Sequence, residues 1–152
     1  MSLFQKKIDA YASYHRDPYN KATHFFGVPL VTMSLFIFFG WFRFIHFNWL
    51  TGATLFYLGV AIYYMFLNRE VAIPTLAAYL PLLFISHYLS GLPFTESLLW
   101  FLGFAGVGWA LQLLGHKFEG KKPALVDNIG QIFSAPLFIT VEVRELLNKR
   151  GA

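Results

Sequence analysis

The sequence predicts an all-α integral membrane protein: a four-helix bundle with an N-terminal amphipathic helix before it and a C-terminal re-entrant or interfacial helical segment after it. Three observations point there. The chain is 57% hydrophobic and 13% charged, about half the charged share of a soluble domain, with a mean hydropathy of +0.52. Residues 25–42, 44–68, 71–95 and 97–115 contain no Asp, Glu, Lys or Arg, and a span needs about 20 apolar residues. Lysine and arginine are also distributed asymmetrically. With four spans, Lys6, Lys7, Arg16, Lys21, Arg69, Lys117, Lys121 and Lys122 share one side and Arg43 stands on the other. By the positive-inside rule both termini are then cytoplasmic, in a bacterial inner membrane or the endoplasmic reticulum.

Each element follows from local signals. The polar N-terminal stretch MSLFQKKIDAYASYHRD has no apolar core followed by a small-residue cleavage site, so no removable signal peptide is expected. It reads as an amphipathic helix carrying Tyr11, Tyr14 and His15. Asp17-Pro18 disfavours helix at the residue before proline, and Asn20 is a good cap for a helix starting at Lys21. Spans are expected near 25–42, 48–67, 72–90 and 97–115, joined by connections short enough to make consecutive helices antiparallel neighbours. Pro74 and Pro81 can bend the third. The apolar run 128–141 is too short to span and contains Pro136, which suggests the re-entrant or interfacial segment; 142–152 reads as a polar amphipathic tail. All 152 residues form one membrane domain on this reading. The net charge of +4 is a basic collar against anionic headgroups and calls for no nucleic acid. Trp41, Trp49 and Trp100 fall near span ends, where aromatic belts form.

Five histidines and no cysteine limit the chemistry: thiolate sites, disulfides and iron–sulfur clusters are excluded. His15 and His24 precede the first span and His116 ends the fourth, so all three meet one interface. On one straight helix His15 and His24 would be separated by about 900° of rotation and face opposite ways. The Asp17-Pro18 turn lets the arm fold back and bring them together. His46 lies on the far side near Arg43, and His87 sits about 24 Å along the third span, so both read as interfacial or buried polar residues. At the other end, Glu119 follows His116 at i+3, on one face if the helix continues. It is a candidate fourth ligand or an acceptor that orients an imidazole. Neutral imidazoles with one carboxylate suit Fe(II), Zn(II), Mn(II) or Cu(II) alike. Five scattered histidines do not supply the clustered boxes of di-iron desaturases, nor paired ligands for two b-type haems, so a mononuclear site is what the inventory allows.

Two blocks, YHRDPYNKATHFFGVP at residues 14–29 and GWALQLLGHKFEGKKPALVDNIGQIFSAPLF at residues 108–138, resemble the membrane dioxygenase family known from fungi and its bacterial relatives. Its endoplasmic-reticulum member carries out iron(II)-dependent α-oxidation of 2-hydroxy fatty acids in phytosphingosine breakdown. The matching positions are Tyr14, His15, Asn20, His24 and Pro29, then Gly115, His116, Glu119, Pro123, Ala124, Leu125, Asp127, Asn128, Ala135 and Pro136. The interval from His116 to Glu119 is one residue shorter than the family pattern.

The resemblance implies that His15, His24 and His116 hold Fe(II) and that a 2-hydroxy acid chelates the metal through its carboxylate and hydroxyl. With O₂ the C1–C2 bond is then cleaved, giving an acid one carbon shorter. Glu119 is the catalytic carboxylate on this reading, Asn20, Asp127 and Asn128 are partners behind the ligands, and Lys121 and Lys122 attract the substrate carboxylate. The partners are the fatty-acyl substrate, O₂ and membrane lipid. A site at the interface takes the charged head without dragging it through hydrocarbon, which costs several kcal/mol. Two other classes stay open: a non-enzymatic membrane scaffold or lipid-binding protein, and a zinc-dependent lipid hydrolase with Glu119 as general base.

Overall fold

The computed structural model describes residues 1–44, 49–123 and 129–151, and every regular element among them is helical. Ser2 caps α1 (Leu3–Ala12) by accepting from the Gln5 N–H, and Phe4, Ile8 and Tyr11, at successive turns, form its buried face. The helix ends at Ala12. Tyr14 and His15 therefore stand in the turn after it, not on it as the sequence suggests, because the chain must leave the α region before Pro18.

The start of α2 (Pro18–Gly40) also corrects the expectation. Asp17, not Asn20, is the cap: its Oδ1 accepts from Tyr19 N at 2.8 Å and Asn20 N at 3.0 Å. Pro18 takes the first helical turn, where its fixed φ is pre-set and its missing N–H is not needed. The helix begins well before residue 25, and His24 lies inside it rather than ahead of it. Asn20 is released from capping and becomes fully buried, with 0% exposure.

The remaining helices are α3 (Gly52–Leu67), α4 (Arg69–Leu89) and α5 (Phe94–Glu119). Thr51 caps α3 and Asn68 caps α4 through their side chains, and α4 continues through both Pro74 and Pro81. Among the described residues α2, α4 and α5 are long and apolar enough to cross a membrane, while α3, at 16 residues, is shorter. It measures about 24 Å at 1.5 Å per residue, less than the roughly 30 Å of hydrocarbon.

The hub is α2, which packs most extensively on α5 and also on α4 and α3. Its approach to α5 depends on Gly108: a Cβ there would lie 2.9 Å from the Val31 nitrogen. After α5 ends at Gly120 in the left-handed conformation, φ 67°, a 3₁₀ turn (Ile129–Phe133) leads into α6 (Ala135–Gly151). Pro136 sits in the first turn of α6, where proline is tolerated. The expected apolar segment and polar tail thus share one helix. Its first turns bury Ala135, Leu137 and Phe138 in a core with Phe4, Ile8 and Tyr11 of α1 and Tyr64, Val71, Ala72 and Tyr79. Farther along, Glu142 pairs with Lys21 at 2.7 Å and Arg144 donates to the Glu70 carbonyl at 3.2 Å. The two terminal helices close over one end of the bundle, the end that carries His15, His24 and His116.

Candidate metal centre

The three histidines converge from three different pieces of chain. His15 comes from the turn after α1, His24 from the second turn of α2 and His116 from the last turn of α5; their exposures are 1%, 2% and 6%. Ring centroids are 4.4 Å apart for His15 and His24, 5.0 Å for His15 and His116, and 4.9 Å for His24 and His116. One nitrogen from each ring lies within 4.8 Å of the other two. An ion with ligands at about 2.1 Å would need the rings to draw together slightly.

Hydrogen bonds define which nitrogens are free. His15 Nδ1 faces the Tyr11 carbonyl at 2.7 Å and His24 Nδ1 the Asn20 carbonyl at 3.0 Å. A carbonyl can only accept, so each Nδ1 carries the proton and each Nε2 keeps its lone pair. His15 Nε2 and His116 Nδ1 are buried with no hydrogen-bond partner. Burial is the largest influence on His15 and pushes its pKa down to about 4, so the ring is neutral at pH 7. Two orphaned imidazole nitrogens beside a third correctly oriented ring are expensive in a dry site, and a divalent ion would satisfy them. Tyr11 holds the arrangement from the side, stacked on His15 at 4.0 Å and 6°.

Glu119 and Asn20 sit behind the rings. Glu119 Oε2 accepts from Arg16 N at 2.9 Å, Asp17 N at 2.8 Å and Asn20 Nδ2 at 3.0 Å, and Asn20 Nδ2 also donates to the Tyr14 carbonyl at 3.1 Å. The carboxylate therefore clamps the turn that carries His15 to the end of α5 that carries His116. Helix α5 does continue to Glu119, which is what lets both side chains act from one helical end. The Gly-His pair has a steric reason: a Cβ on Gly115 would run into Thr23 Oγ1, lie 2.5 Å from Asn20 Oδ1 and 2.9 Å from His24 Nδ1.

Not every candidate is at the cluster. Lys121 is exposed and donates to the Ser13 carbonyl at 2.8 Å, a further tie between the two ends; Lys122 is exposed beside it. Asp127, Asn128 and His46 lie outside the described residues, as do Ala124 and Leu125 of the quoted block. His87 belongs to the far end of the bundle. Its ring stacks on Trp49 at 4.5 Å, and Arg43 donates to its carbonyl at 2.9 Å.

The histidines open into a cavity of about 410 Å³ that reaches along α2 as far as Phe39 and along α3 as far as Phe56. Two polar atoms in its wall have no partner, the Tyr79 hydroxyl and Gln131 Oε1. Sequence reasoning passed over both. Thr75 and Tyr79, four apart on α4 and both buried, were the available signal, a polar pair facing inward on an apolar helix.

Comparison with known families settles the lineage. A family model described as 2-hydroxy-palmitic acid dioxygenase Mpo1-like matches residues 1–147. The chain belongs to this family. No significant match was found among curated proteins or among solved structures. The Mpo1-like match spans both ends of the chain, and so takes in all three histidines and Glu119.

Proposed function

We propose that this protein is an iron(II)-dependent membrane dioxygenase that cleaves C1–C2 of a long-chain 2-hydroxy fatty acid. The observation that carries this is the convergence of His15, His24 and His116 at the mouth of an apolar cavity, in a chain of the family described as 2-hydroxy-palmitic acid dioxygenases. His15, His24 and His116 would hold the ion. Fe(II) bound there would supply O₂ activation and an anchor for the acid's carboxylate and hydroxyl. The reaction balances without another reductant: a 2-hydroxy acid and O₂ give the acid one carbon shorter, carbon dioxide and water.

The chain's own residues do the rest. Three neutral imidazoles leave the ion's charge uncompensated by protein, which favours an anionic substrate head. The Tyr11 and Asn20 carbonyls hold two rings in the ligating tautomer. Glu119 acts on this reading as the positioning carboxylate that keeps Asn20 and the His15 turn against α5. Lys121 and Lys122 place positive charge at the rim where a carboxylate arrives. The topology proposed is four spans, α3 included, with both termini on the lysine- and arginine-rich cytoplasmic side.

The test is anaerobic purification in detergent, metal analysis, and incubation with 2-hydroxypalmitic acid and O₂. Iron at about one per chain, as a mononuclear site requires, and a product one carbon shorter are expected. No bound metal and no shortened acid would overturn the reading; stoichiometric zinc with an unchanged hydroxy acid would favour the hydrolase.

A further inference from the structure

The cavity has a direction. On α2 its wall runs from His24 through Val28, Thr32 and Leu35 to Phe39, an axial distance of about 22 Å at 1.5 Å per residue. The α3 wall runs antiparallel to it, from Tyr64 to Phe56. At the histidine end the Tyr64 hydroxyl of α3 donates to the Phe133 carbonyl of the 3₁₀ turn at 2.7 Å. At the other end α2 and α3 converge. Gly52 N donates to the Phe42 carbonyl at 2.8 Å, and a Cβ on Gly52 would lie 2.6 Å from the Phe39 carbonyl oxygen. Just inside that junction the rings of Phe39 and Phe56 stack, with centroids 4.8 Å apart and 19° between planes. Phe36 meets Phe56 edge-on at 6.2 Å.

Three of the wall hydroxyls are spent within the protein. Thr32 Oγ1 is spent on the Val28 carbonyl, the Tyr57 hydroxyl on the Leu76 carbonyl and the Tyr64 hydroxyl on the Phe133 carbonyl. A largely apolar slot with the three histidines at one end and a plug of packed rings at the other matches a single unbranched chain with one polar head.

We propose that Phe39 and Phe56 form the floor of an acyl slot and set the longest chain the protein accepts; this rests on the reading of the histidine end as the site of the polar head. An extended chain advances about 1.2 Å per bond, since the three backbone bonds of a residue span up to about 3.6 Å. A length of about 22 Å therefore holds roughly 18 bonds. Chains of about 16 to 18 carbons reach the floor, and longer ones meet the ring stack.

The experiment uses the full chain in detergent without added metal and measures displacement of labelled 2-hydroxypalmitic acid by unlabelled 2-hydroxy acids of 12 to 22 carbons. Affinity should rise roughly fourfold per carbon, the factor corresponding to about 0.8 kcal/mol per buried CH₂, and stop rising near 18. In Phe56→Ala and Phe39→Ala the break should move to longer chains by at least two carbons. Phe56→Trp, which keeps an aromatic plug and guards against loss of folding, should move it to shorter ones. A break at the same length in all variants overturns the floor. The same proteins are then loaded with Fe(II) and exposed to O₂. A break that moves without any shortened product keeps the slot and removes the dioxygenase reading; shortened product with an unmoved break does the reverse.

Discussion

His87 and the His15–His24–His116 cluster are the same side chain put to two uses at opposite ends of one bundle. At the far end the half-buried His87 ring lies flat on Trp49, and Arg43 donates to the His87 carbonyl. At the near end the rings are buried edge to face, with backbone carbonyls fixing the tautomer of two of them. Depth and residue type do not separate these two settings. What does is a proton fixed on one ring nitrogen and an unsatisfied lone pair on the other.

That contrast breaks most sharply by substitution in the cluster. His24→Ala or His116→Ala should abolish iron retention and lower turnover by at least about 10³-fold, the scale on which loss of an essential group acts, while His87→Ala keeps iron and activity within about twofold. Retained iron in both cluster variants would place the metal elsewhere. Glu119 gives the next largest effect. Glu119→Ala leaves two backbone N–H groups and the Asn20 amide without their acceptor, so it should destabilise by about 2–3 kcal/mol and weaken iron binding by about 10–100-fold. Glu119→Gln, which retains a carbonyl acceptor, should recover part of both in thermal unfolding and metal titration. Complete loss of iron in Glu119→Gln would instead make the carboxylate a ligand.

Smaller effects sharpen the picture. Gly115→Ala forces a methyl among Thr23, Asn20 and His24, and overpacking of that kind costs about 1–3 kcal/mol, with iron affinity reduced but measurable. Tyr79→Phe should move two readouts in opposite directions. Removing an unsatisfied buried hydroxyl should leave the apo protein as stable or up to about 1 kcal/mol more stable, while weakening retention of a 2-hydroxy acid several-fold relative to a plain fatty acid. Equal losses for the two acids would show that the Tyr79 hydroxyl does not distinguish the 2-hydroxyl group. His87→Gln, which loses the stack on Trp49, should destabilise by about 0.5–1.5 kcal/mol without changing iron content.

The helical class, the long apolar segments and the meeting of His15, His24 and His116 were legible from charge gaps and from the Asp17-Pro18 turn. The local geometry was less so, because competing signals sat side by side. Asp17 and Asn20 are both good caps; Pro18 decides between them, since a proline fits the first turn of a helix capped at Asp17 and leaves Asn20 inside. The length of α3 was overestimated because hydropathy runs on past residue 51, whereas Thr51 caps the helix and Gly52 must sit tight against Phe39. The Tyr79 hydroxyl and the Phe39–Phe56 floor were not legible at all. Both are properties of how α2, α3 and α4 face one another, and one sequence read helix by helix carries no record of that.

The clamp between Glu119 and the Arg16–Asp17 backbone joins residues separated by 103 and 102 positions. During synthesis at about 5–20 residues per second, His15 and His24 emerge many seconds before Glu119 and His116 exist to complete the set. A nascent chain therefore carries only two of the three rings for that whole interval, and gains the third when its last long helix has been made. If the cluster holds iron as proposed, metal occupancy requires finished assembly of both ends of the chain, and iron content per chain would count correctly assembled molecules in a preparation.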